Sequence, residues 1–253
     1  FLHSHNLKYD YIFLPGGYHK KRFQEKFSEK KIPKIKIVGN LKKENIISSD
    51  SKINFYNEKL NLFANRKNII FGPTFDSFES GRFLPNTFED QSKSLRDLSN
   101  FLKNSNYNLI IKLHHYMNDL LKLPIFDLLN KQKHVCIFKP IEGHDTLNSH
   151  DIIRYSDIVI SDTSGLAITA ISLDKKLIFL EPDSKFNWDN ADTEKRFRPG
   201  YIVNDTDQIK EAINSYSNSD IFKIERQNFL EKIFPEKIDD PYNTLKNYIL
   251  KII

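Results

Sequence analysis

The sequence has little cysteine and no long apolar run. Cys136 is the only cysteine among 253 residues, and it lies in the apolar run 135–138, so we expect a buried thiol and no disulfide within the chain. No apolar run approaches the ~20 residues that a membrane-spanning helix needs, and there is no signal-peptide pattern. This sequence therefore holds neither a disulfide framework nor a membrane-spanning segment.

The usual nucleotide-binding loops are absent too. The chain contains no Gly-x-Gly-x-x-Gly, no Gly-x-x-x-x-Gly-Lys-Ser/Thr and no Gly-x-Ser-x-Gly, which excludes the common dinucleotide, triphosphate and hydrolase turns. Asp183, Asp189 and Asp192 follow no recognised metal-ligand spacing. We expect neither a metal ion nor a cofactor.

The charge balance is mildly basic. Lys and Arg number 38 against 33 Asp and Glu, which gives a formal net charge of +5 and a pI near 9.0. No zinc spacing, aromatic RNA-binding motif or arginine-rich run accompanies this charge, so we expect no nucleic acid partner. The excess of positive charge is compatible with an anionic substrate or an acidic membrane surface.

Strand and helix patterns alternate regularly over residues 67–203. This alternation predicts a doubly wound α/β domain with a parallel sheet covered on both faces. Before it, a strand pattern at 10–14 and a helix pattern at 18–31 precede a polar stretch, and we assign residues 1–40 to the end of another domain and a linker. Because the first residue is Phe1 and a strand follows closely, we expect that an N-terminal portion is missing.

The chain is organised around residues 157–181, which read as strand, turn, helix and strand. The run 158–160 has the length and β-branching of a buried strand, and the turn 161–165, Ser-Asp-Thr-Ser-Gly, leads into an apolar helix. The unpaired N–H groups and the dipole at such a helix N-terminus favour a phosphate or another anion. The same residues also make an ordinary N-cap, and this stretch alone supports both interpretations equally.

Other polar residues follow neighbouring strand patterns. Thr74, His114 and the loop 140–142 come after three of them, and the carboxyl ends of parallel strands share one crevice in which ligands bind. Histidine can hydrogen-bond a phosphate oxygen or transfer a proton near neutral pH. Arg198, at the end of the polar loop 183–198, carries a charge that suits an anion in this crevice. For both His114 and Arg198, a plain surface position is the alternative.

These segments resemble, in the same order, those of a known family. The run S-D-I-V-I-S-D-T-S-G (156–165) resembles the signature of the CDP-glycerol glycerophosphotransferases, which include teichoic-acid and capsule polymerases. I-I-K-L-H-H (110–115) resembles the family's strand ending in Lys-Leu-His-Pro, and I-I-F-G-P-T-F (69–75) its strand ending in Ala-Pro-Thr-Trp. Y-D-Y-I-F-L-P-G-G-Y-H-K-K-R-F (9–23) resembles the passage between the family's two domains, and R-P-G-Y-I-V (198–203) its late strand.

The resemblance implies a GT-B type fold. Residues 41–253 would form its Rossmann-like C-terminal domain, which binds the nucleotide donor, and residues 1–40 a remnant of the N-terminal domain and linker. The implied activity is transfer of glycerol phosphate from CDP-glycerol to a cell-surface polymer or lipid-linked acceptor, with release of CMP. The implied location is the cytoplasm, in peripheral contact with the inner face of the membrane. With the crevice, this predicts His114 as the catalytic residue and, as substrate ligands, Thr74, Ser161, Thr163, Ser164, Gly165 and Arg198.

The central turn also departs from the family pattern. Thr163 replaces a tyrosine, Gly165 replaces a second serine, and His115 replaces the proline. Thr-Ser-Gly is also similar to the Asp-Ser-Gly-Gly turn of UDP-N-acetylglucosamine 2-epimerases, which leaves a different nucleotide-linked donor open. A nucleotide-sugar glycosyltransferase or epimerase-like enzyme is therefore one alternative, and a non-catalytic nucleotide-binding module is another.

Overall fold

The computed structural model describes residues 8–41, 56–73, 88–113, 122–138, 149–161, 165–180, 198–235 and 237–252, with backbone only for residues 88–92 and 149–150. Contacts divide the chain into two units. The larger unit comprises residues 47–223, and in the smaller unit residues 1–46 pack with residues 224–253.

The regular elements follow the alternation predicted from the sequence. In chain order, they are β1 (Tyr11–Leu14), α1 (Gly17–Lys26), β2 (Lys34–Ile37), β3 (Lys67–Phe71), α2 (Phe88–Leu102), β4 (Tyr107–Ile111), α3 (Pro124–Asn130), β5 (Val135–Ile137), α4 (Ser149–Arg154), β6 (Ile158–Ser161), α5 (Gly165–Ser172), β7 (Lys176–Leu180), β8 (Tyr201–Val203), α6 (Thr206–Asn218), α7 (Lys223–Ile233) and α8 (Pro241–Leu250). From β3 to β7, a helix lies between each strand and the next.

The larger unit is built on a six-stranded sheet in the order β5-β4-β3-β6-β7-β8. Every neighbouring pair of strands in it is parallel. The chain moves outward from β3 to β5, returns to the middle, and moves outward in the opposite direction from β6 to β8. The strand order therefore reverses between β3 and β6, and the predicted doubly wound sheet is confirmed.

The strands are mostly apolar because helices cover both faces of the sheet. All five residues of β4 are buried. Leu98 of α2, Leu129 of α3 and Ile213 of α6 belong to one core cluster on one face. Crossovers between parallel strands are right-handed. Helix α5 connects β6 to β7, and this connection crosses the sheet in the direction opposite to the connections of α2 and α3, so α5 covers the opposite face. Its Ala167 and Ala170 are buried.

A buried asparagine cluster closes the amino edge of the sheet. The side-chain amide of Asn68 donates to Asn57 Oδ1 over 2.7 Å, and that of Asn108 donates to Asn68 Oδ1 over 3.1 Å. Asn57 donates in turn to the carbonyls of Phe63 and Arg66, at 3.2 and 3.0 Å. Because each amide is paired, the cluster avoids the penalty of burying polar groups. It lies away from the carboxyl edge, at which the ligands of such sheets bind.

The smaller unit holds the parallel pair β1 and β2 together with α1, α7 and α8. His19 stacks on Phe234 with ring centroids 5.7 Å apart, which packs α1 against the end of α7. Gly39 has a φ of +89° and lies against Ile238 and Pro241, so a side chain there would be both strained and crowded. This grouping differs from the sequence-based division, which places the C-terminal helices with the donor-binding domain.

Helix boundaries differ from the sequence-based ones for local reasons. Helix α1 ends at Lys26 because Phe27, with a φ of −121°, leaves the helical conformation. Pro124 is the first residue of α3, a position that suits proline because the first helical turn does not need the missing N–H. Cys136 is partly exposed rather than fully buried, because its strand β5 is at the edge of the sheet.

Candidate functional site

The reversal of strand order brings the carboxyl ends of β3 and β6 side by side. The N–H of Gly72, the residue after β3, donates to the carbonyl of Ile160 over 2.9 Å. The hydroxyl of Ser161 donates to the carbonyl of Gly72 over 2.8 Å. Ser161 is 0% exposed, so this bond joins the two strand ends away from water. The switch-point corner comprises Gly72, Ser161 and the first turn of α5.

Helix α5 begins at this corner with the exposed residue Gly165. Leu166, the next residue, packs so closely onto Gly72 that a Cβ on Gly72 would lie 2.9 Å from Leu166 Cδ1. The hydroxyl of Thr169 donates to the carbonyl of Gly165 over 2.9 Å, which satisfies a polar side chain inside a helix packed on the sheet. The helix N-terminus, with its N–H groups and positive dipole end, thus lies directly on the strand end.

A lysine lies at the end of the neighbouring strand. The N–H of Lys112, the residue after β4, donates to the carbonyl of Phe71 over 2.9 Å. The carbonyl of Lys112 is 3.6 Å from the position that a Cβ on Gly72 would take. The side chain is partly buried, and this burial lowers the pKa of the ammonium. A helix N-terminus and a partly desolvated cation therefore lie at adjacent strand ends, and both favour an anion.

Of the predicted site residues, Ser161 and Gly165 lie together at the switch-point corner. Gly165 exposes the start of the helix, whereas the hydroxyl proton of Ser161 is used by Gly72. Several candidate residues lie outside the described part of the chain, and their roles stay predictions: Thr74, His114, His115, residues 140–142, Thr163, Ser164, Asp183, Asp189 and Asp192.

Arg198 is not brought to this corner. It precedes β8, and Gly200 lies so close to Leu177 that a Cβ on Gly200 would overlap the Leu177 carbonyl. Because β7 and β8 are parallel and Leu177 is near the start of β7, Arg198 lies at the amino edge of the sheet. Ser161 is at the carboxyl edge. The described backbone therefore does not support a ligand that both Ser161 and Arg198 contact, and the role of Arg198 stays a prediction.

The sequence of this fold matches a known family. A family model described as CDP-Glycerol:Poly(glycerophosphate) glycerophosphotransferase matches residues 2–242. The chain belongs to this glycerophosphotransferase family. A relative, the teichoic acid poly(glycerol phosphate) polymerase of Bacillus spizizenii (strain W23), is 26% identical over 225 residues, which cover 83% of this chain and 52% of the polymerase. The chain thus spans about half the length of the curated relative it matches. The resemblance seen in the sequence motifs is confirmed.

Solved structures share the fold of this glycerophosphotransferase-family chain. A variant of the wall teichoic acid polymerase TagF soaked with CDPG superimposes with a TM-score of 0.67 at 16% identity, covering 97% of this chain and 56% of the TagF chain. UDP-GlcNAc 2-epimerase from Neisseria meningitidis superimposes with a TM-score of 0.54 at 18% identity, covering 96% and 61%. At such identities the likeness establishes the GT-B type fold alone.

Two residues near the corner of this family member escape the sequence-based list of site residues. Gly72 and Lys112 both belong to segments that carry the family resemblance, 69–75 and 110–115. Neither residue has a hydroxyl or an imidazole, the groups on which the sequence-based prediction of the site rests. What identifies them in the sequence is their position directly after a buried strand. Gly72 ends the apolar pattern of β3 because it has no side chain, and Lys112 ends that of β4 because it carries a charge.

Proposed function

We propose that this chain contributes the donor-binding half of a transferase that moves glycerol phosphate from CDP-glycerol to a cell-surface polymer or lipid-linked acceptor. The observation that carries the proposal is the family match over residues 2–242, which includes the switch-point corner. In the transfer, an acceptor hydroxyl attacks the phosphorus that bears the glycerol. The bond from this phosphorus to CMP breaks, CMP leaves with the bridging oxygen, and the hydroxyl proton passes to a base or to water.

The reaction requires stabilisation of negative charge on the diphosphate. In this proposal the N–H groups at the start of α5, together with the hydroxyls of Thr163 and Ser164, hold the phosphates. His114 and Thr74 add hydrogen bonds from the neighbouring strand ends, and His114 also serves in proton transfer. Activation of the acceptor falls to the N-terminal domain, of which residues 1–40 form the end and linker, whereas the larger unit binds the donor.

Nucleotide binding tests the donor. The melting temperature of the chain is measured with CDP-glycerol, CMP, UDP-GlcNAc and UDP at equal concentrations, and dissociation constants are measured by calorimetry. We expect CDP-glycerol and CMP to raise the melting temperature and the uridine compounds to have little effect, because a ligand that binds only the folded state stabilises it. A larger shift with UDP-GlcNAc would favour the nucleotide-sugar alternative. No shift with any of them would contradict nucleotide binding.

Release of CMP separates a transferase from a binding module. With a glycerol-phosphate polymer as acceptor, we expect CMP to be released from CDP-glycerol, and His114→Ala to abolish this release. His134→Gln is the matched control, because His134 lies at the amino end of β5, away from the carboxyl edge. Binding without release, unchanged by His114→Ala, would identify a non-catalytic module. CMP binding unaffected by Ser164→Ala would remove the turn 161–165 from the phosphate site.

The location that we propose is the inner face of the cell membrane, in peripheral contact with it. In the described ranges, no helix is long and apolar enough to cross a membrane. The end of α1, the turn after it and the first residue of β2 expose four lysines: Lys26, Lys30, Lys31 and Lys34. A lysine near an anionic membrane surface contributes about 1 kcal/mol to binding, so this cluster suits a reversible contact with acidic lipids.

Co-sedimentation with lipid vesicles tests the membrane contact. We expect the chain to bind vesicles that contain anionic phospholipid, less so as salt is raised, and not to bind neutral vesicles. Lys30→Glu/Lys31→Glu lowers the bound fraction, whereas Lys103→Glu/Lys131→Glu, the same change at exposed lysines of the larger unit, leaves more protein bound. Equal binding to neutral and anionic vesicles would contradict an electrostatic contact.

A further inference from the structure

Three residues at the carboxyl edge form one row across the centre of the sheet. Phe71 of β3 is paired with Ile111 of β4 and with Ile160 of β6. One residue further along each strand, Lys112, Gly72 and Ser161 are therefore neighbours, and backbone hydrogen bonds continue between the strands to this level. Adjacent strands are about 4.8 Å apart. Lys112 and Ser161 are therefore two strand spacings apart, with Gly72 between them.

The row lies next to the start of α5. Leu166 approaches Gly72 from the face on which a Gly72 side chain would stand. Side chains at equivalent positions of paired strands share a face, so the Lys112 side chain leaves its strand on the same side. Leu166, in the first turn of α5, fills the space that a Gly72 side chain would take, so this turn and Lys112 stand over neighbouring strand ends on the same face.

The Lys112 ammonium differs from other partly buried lysines of the larger unit in having no partner among the described residues. Lys175 donates to the carbonyl of Arg154 over 2.6 Å, and Lys176 donates to the carbonyl of Tyr216 over 2.7 Å. For Lys112, burial alone perturbs the pKa, and no described carboxylate or carbonyl offsets it. A desolvated ammonium is stabilised by an anion that enters its site.

We propose that Lys112 is a further ligand of the donor's diphosphate, which it contacts from the end of β4 while the first turn of α5 contacts the same group from the other side of Gly72. This proposal rests on the proposed function, because it assumes that a nucleoside diphosphate binds at the switch-point corner. It adds a point charge to the N–H groups at the start of α5. A lysine that only covers apolar surface with its stem would do so equally well without its charge.

Charge removal at Lys112 separates these two roles. Lys112→Gln removes the charge and keeps most of the stem, and Lys112→Arg keeps the charge. Lys67→Gln is the control, because Lys67 is exposed at the opposite end of β3.

Dissociation constants for CDP-glycerol and CDP are measured by calorimetry, and those for cytidine, which lacks phosphate, are measured by NMR. We expect Lys112→Gln to weaken CDP-glycerol and CDP binding about tenfold or more and to leave cytidine binding and the melting temperature near those of the unaltered chain. Lys112→Arg retains most of the affinity, and Lys67→Gln matches the unaltered chain.

The outcomes distinguish this proposal from the proposed function. If the unaltered chain binds CDP-glycerol and Lys112→Gln binds it equally well, the role of Lys112 is wrong and the function stands. If the chain binds UDP and UDP-GlcNAc instead, the function is wrong, and the same variants compared with UDP and uridine decide the role of Lys112. Equal weakening of cytidine and CDP would show that Lys112 shapes the site without contacting phosphate. Absence of binding to any of these nucleotides overturns both proposals.

Discussion

The hydroxyl of Ser161 and the carbonyl of Gly72 form a hydrogen bond of 2.8 Å that joins the two central strands where the strand order reverses. Ser161 is the last residue of β6, and Gly72 is the first residue after β3. The bond holds the strand end on which Leu166 of α5 packs. A group of N–H donors that binds phosphate, as proposed for the start of α5, has to be fixed before the ligand arrives, and this bond would supply part of that rigidity.

Loss of the Ser161 hydroxyl is expected to destabilise the larger unit. Ser161→Ala leaves the buried Gly72 carbonyl without this donor, so the free energy of unfolding falls by about 1–3 kcal/mol. Urea unfolding followed by circular dichroism measures it. Ser172→Ala is the matched control, because its hydroxyl donates to Ile168 within its own helix and alanine favours the helix. Similar stability losses in both variants would contradict a special role for the Ser161 bond.

The contact between Gly72 and Leu166 is expected to show strong coupling. Gly72→Ala places a methyl group 2.9 Å from Leu166 Cδ1, which overpacks the corner and costs about 1–3 kcal/mol. Leu166→Ala removes that atom and makes room for the new methyl. In a double-mutant cycle followed by urea unfolding, the double variant should therefore lose less stability than the sum of the single losses. Additive losses would show that α5 does not press on the strand end.

The stability of the chain is expected to depend on pH through His134. The ring is 3% exposed, and its Nε2 lies 2.9 Å from the Ser99 carbonyl, which only accepts, so the neutral ring carries its proton on Nε2. Burial lowers the pKa of His134 in the folded chain. The unfolded chain therefore binds the proton more readily. The stability contribution is complete above a pH of about 6.5 and is lost as the pH falls below it.

Urea unfolding between about pH 5 and pH 8 measures this dependence. His134→Gln keeps a donor toward Ser99 but does not titrate, so its stability should fall less steeply below about pH 6.5 than that of the unaltered chain. Parallel pH profiles for the two chains would show that His134 is not the titrating group.

Cys136 is expected to react slowly in the folded chain. Although the residue is partly exposed, burial raises the pKa of its thiol to about 11, and the thiolate is the reactive form. At pH 8, alkylation of the folded chain by iodoacetamide should be about a hundredfold slower than that of the urea-unfolded chain. As the pH is raised, the rate in the folded chain should increase about tenfold per pH unit. Mass spectrometry of timed samples measures both rates. Equal rates in the folded and unfolded chains would contradict the raised pKa.

Much of the fold follows from local patterns in the sequence. The β-branched run that became β6 and the regular alternation from residue 67 onward predicted a parallel, doubly wound sheet, because short apolar runs separated by helices can bury both faces only in this way. The end of α1 was less predictable. Phe23 and Phe27 have helical spacing, but Phe27 leaves the helix while its N–H still bonds to the carbonyl of Phe23.

The sequence by itself determined the family, the order of the elements and the turn at which α5 begins. Only the tertiary structure decided that Lys112, Gly72 and Ser161 are neighbours and that Arg198 lies at the opposite edge of the sheet. The physical reason is that the three neighbours come from strands far apart in the chain. Their contact depends on which strands pair and in which register, and these long-range choices are made by the packing of the whole sheet.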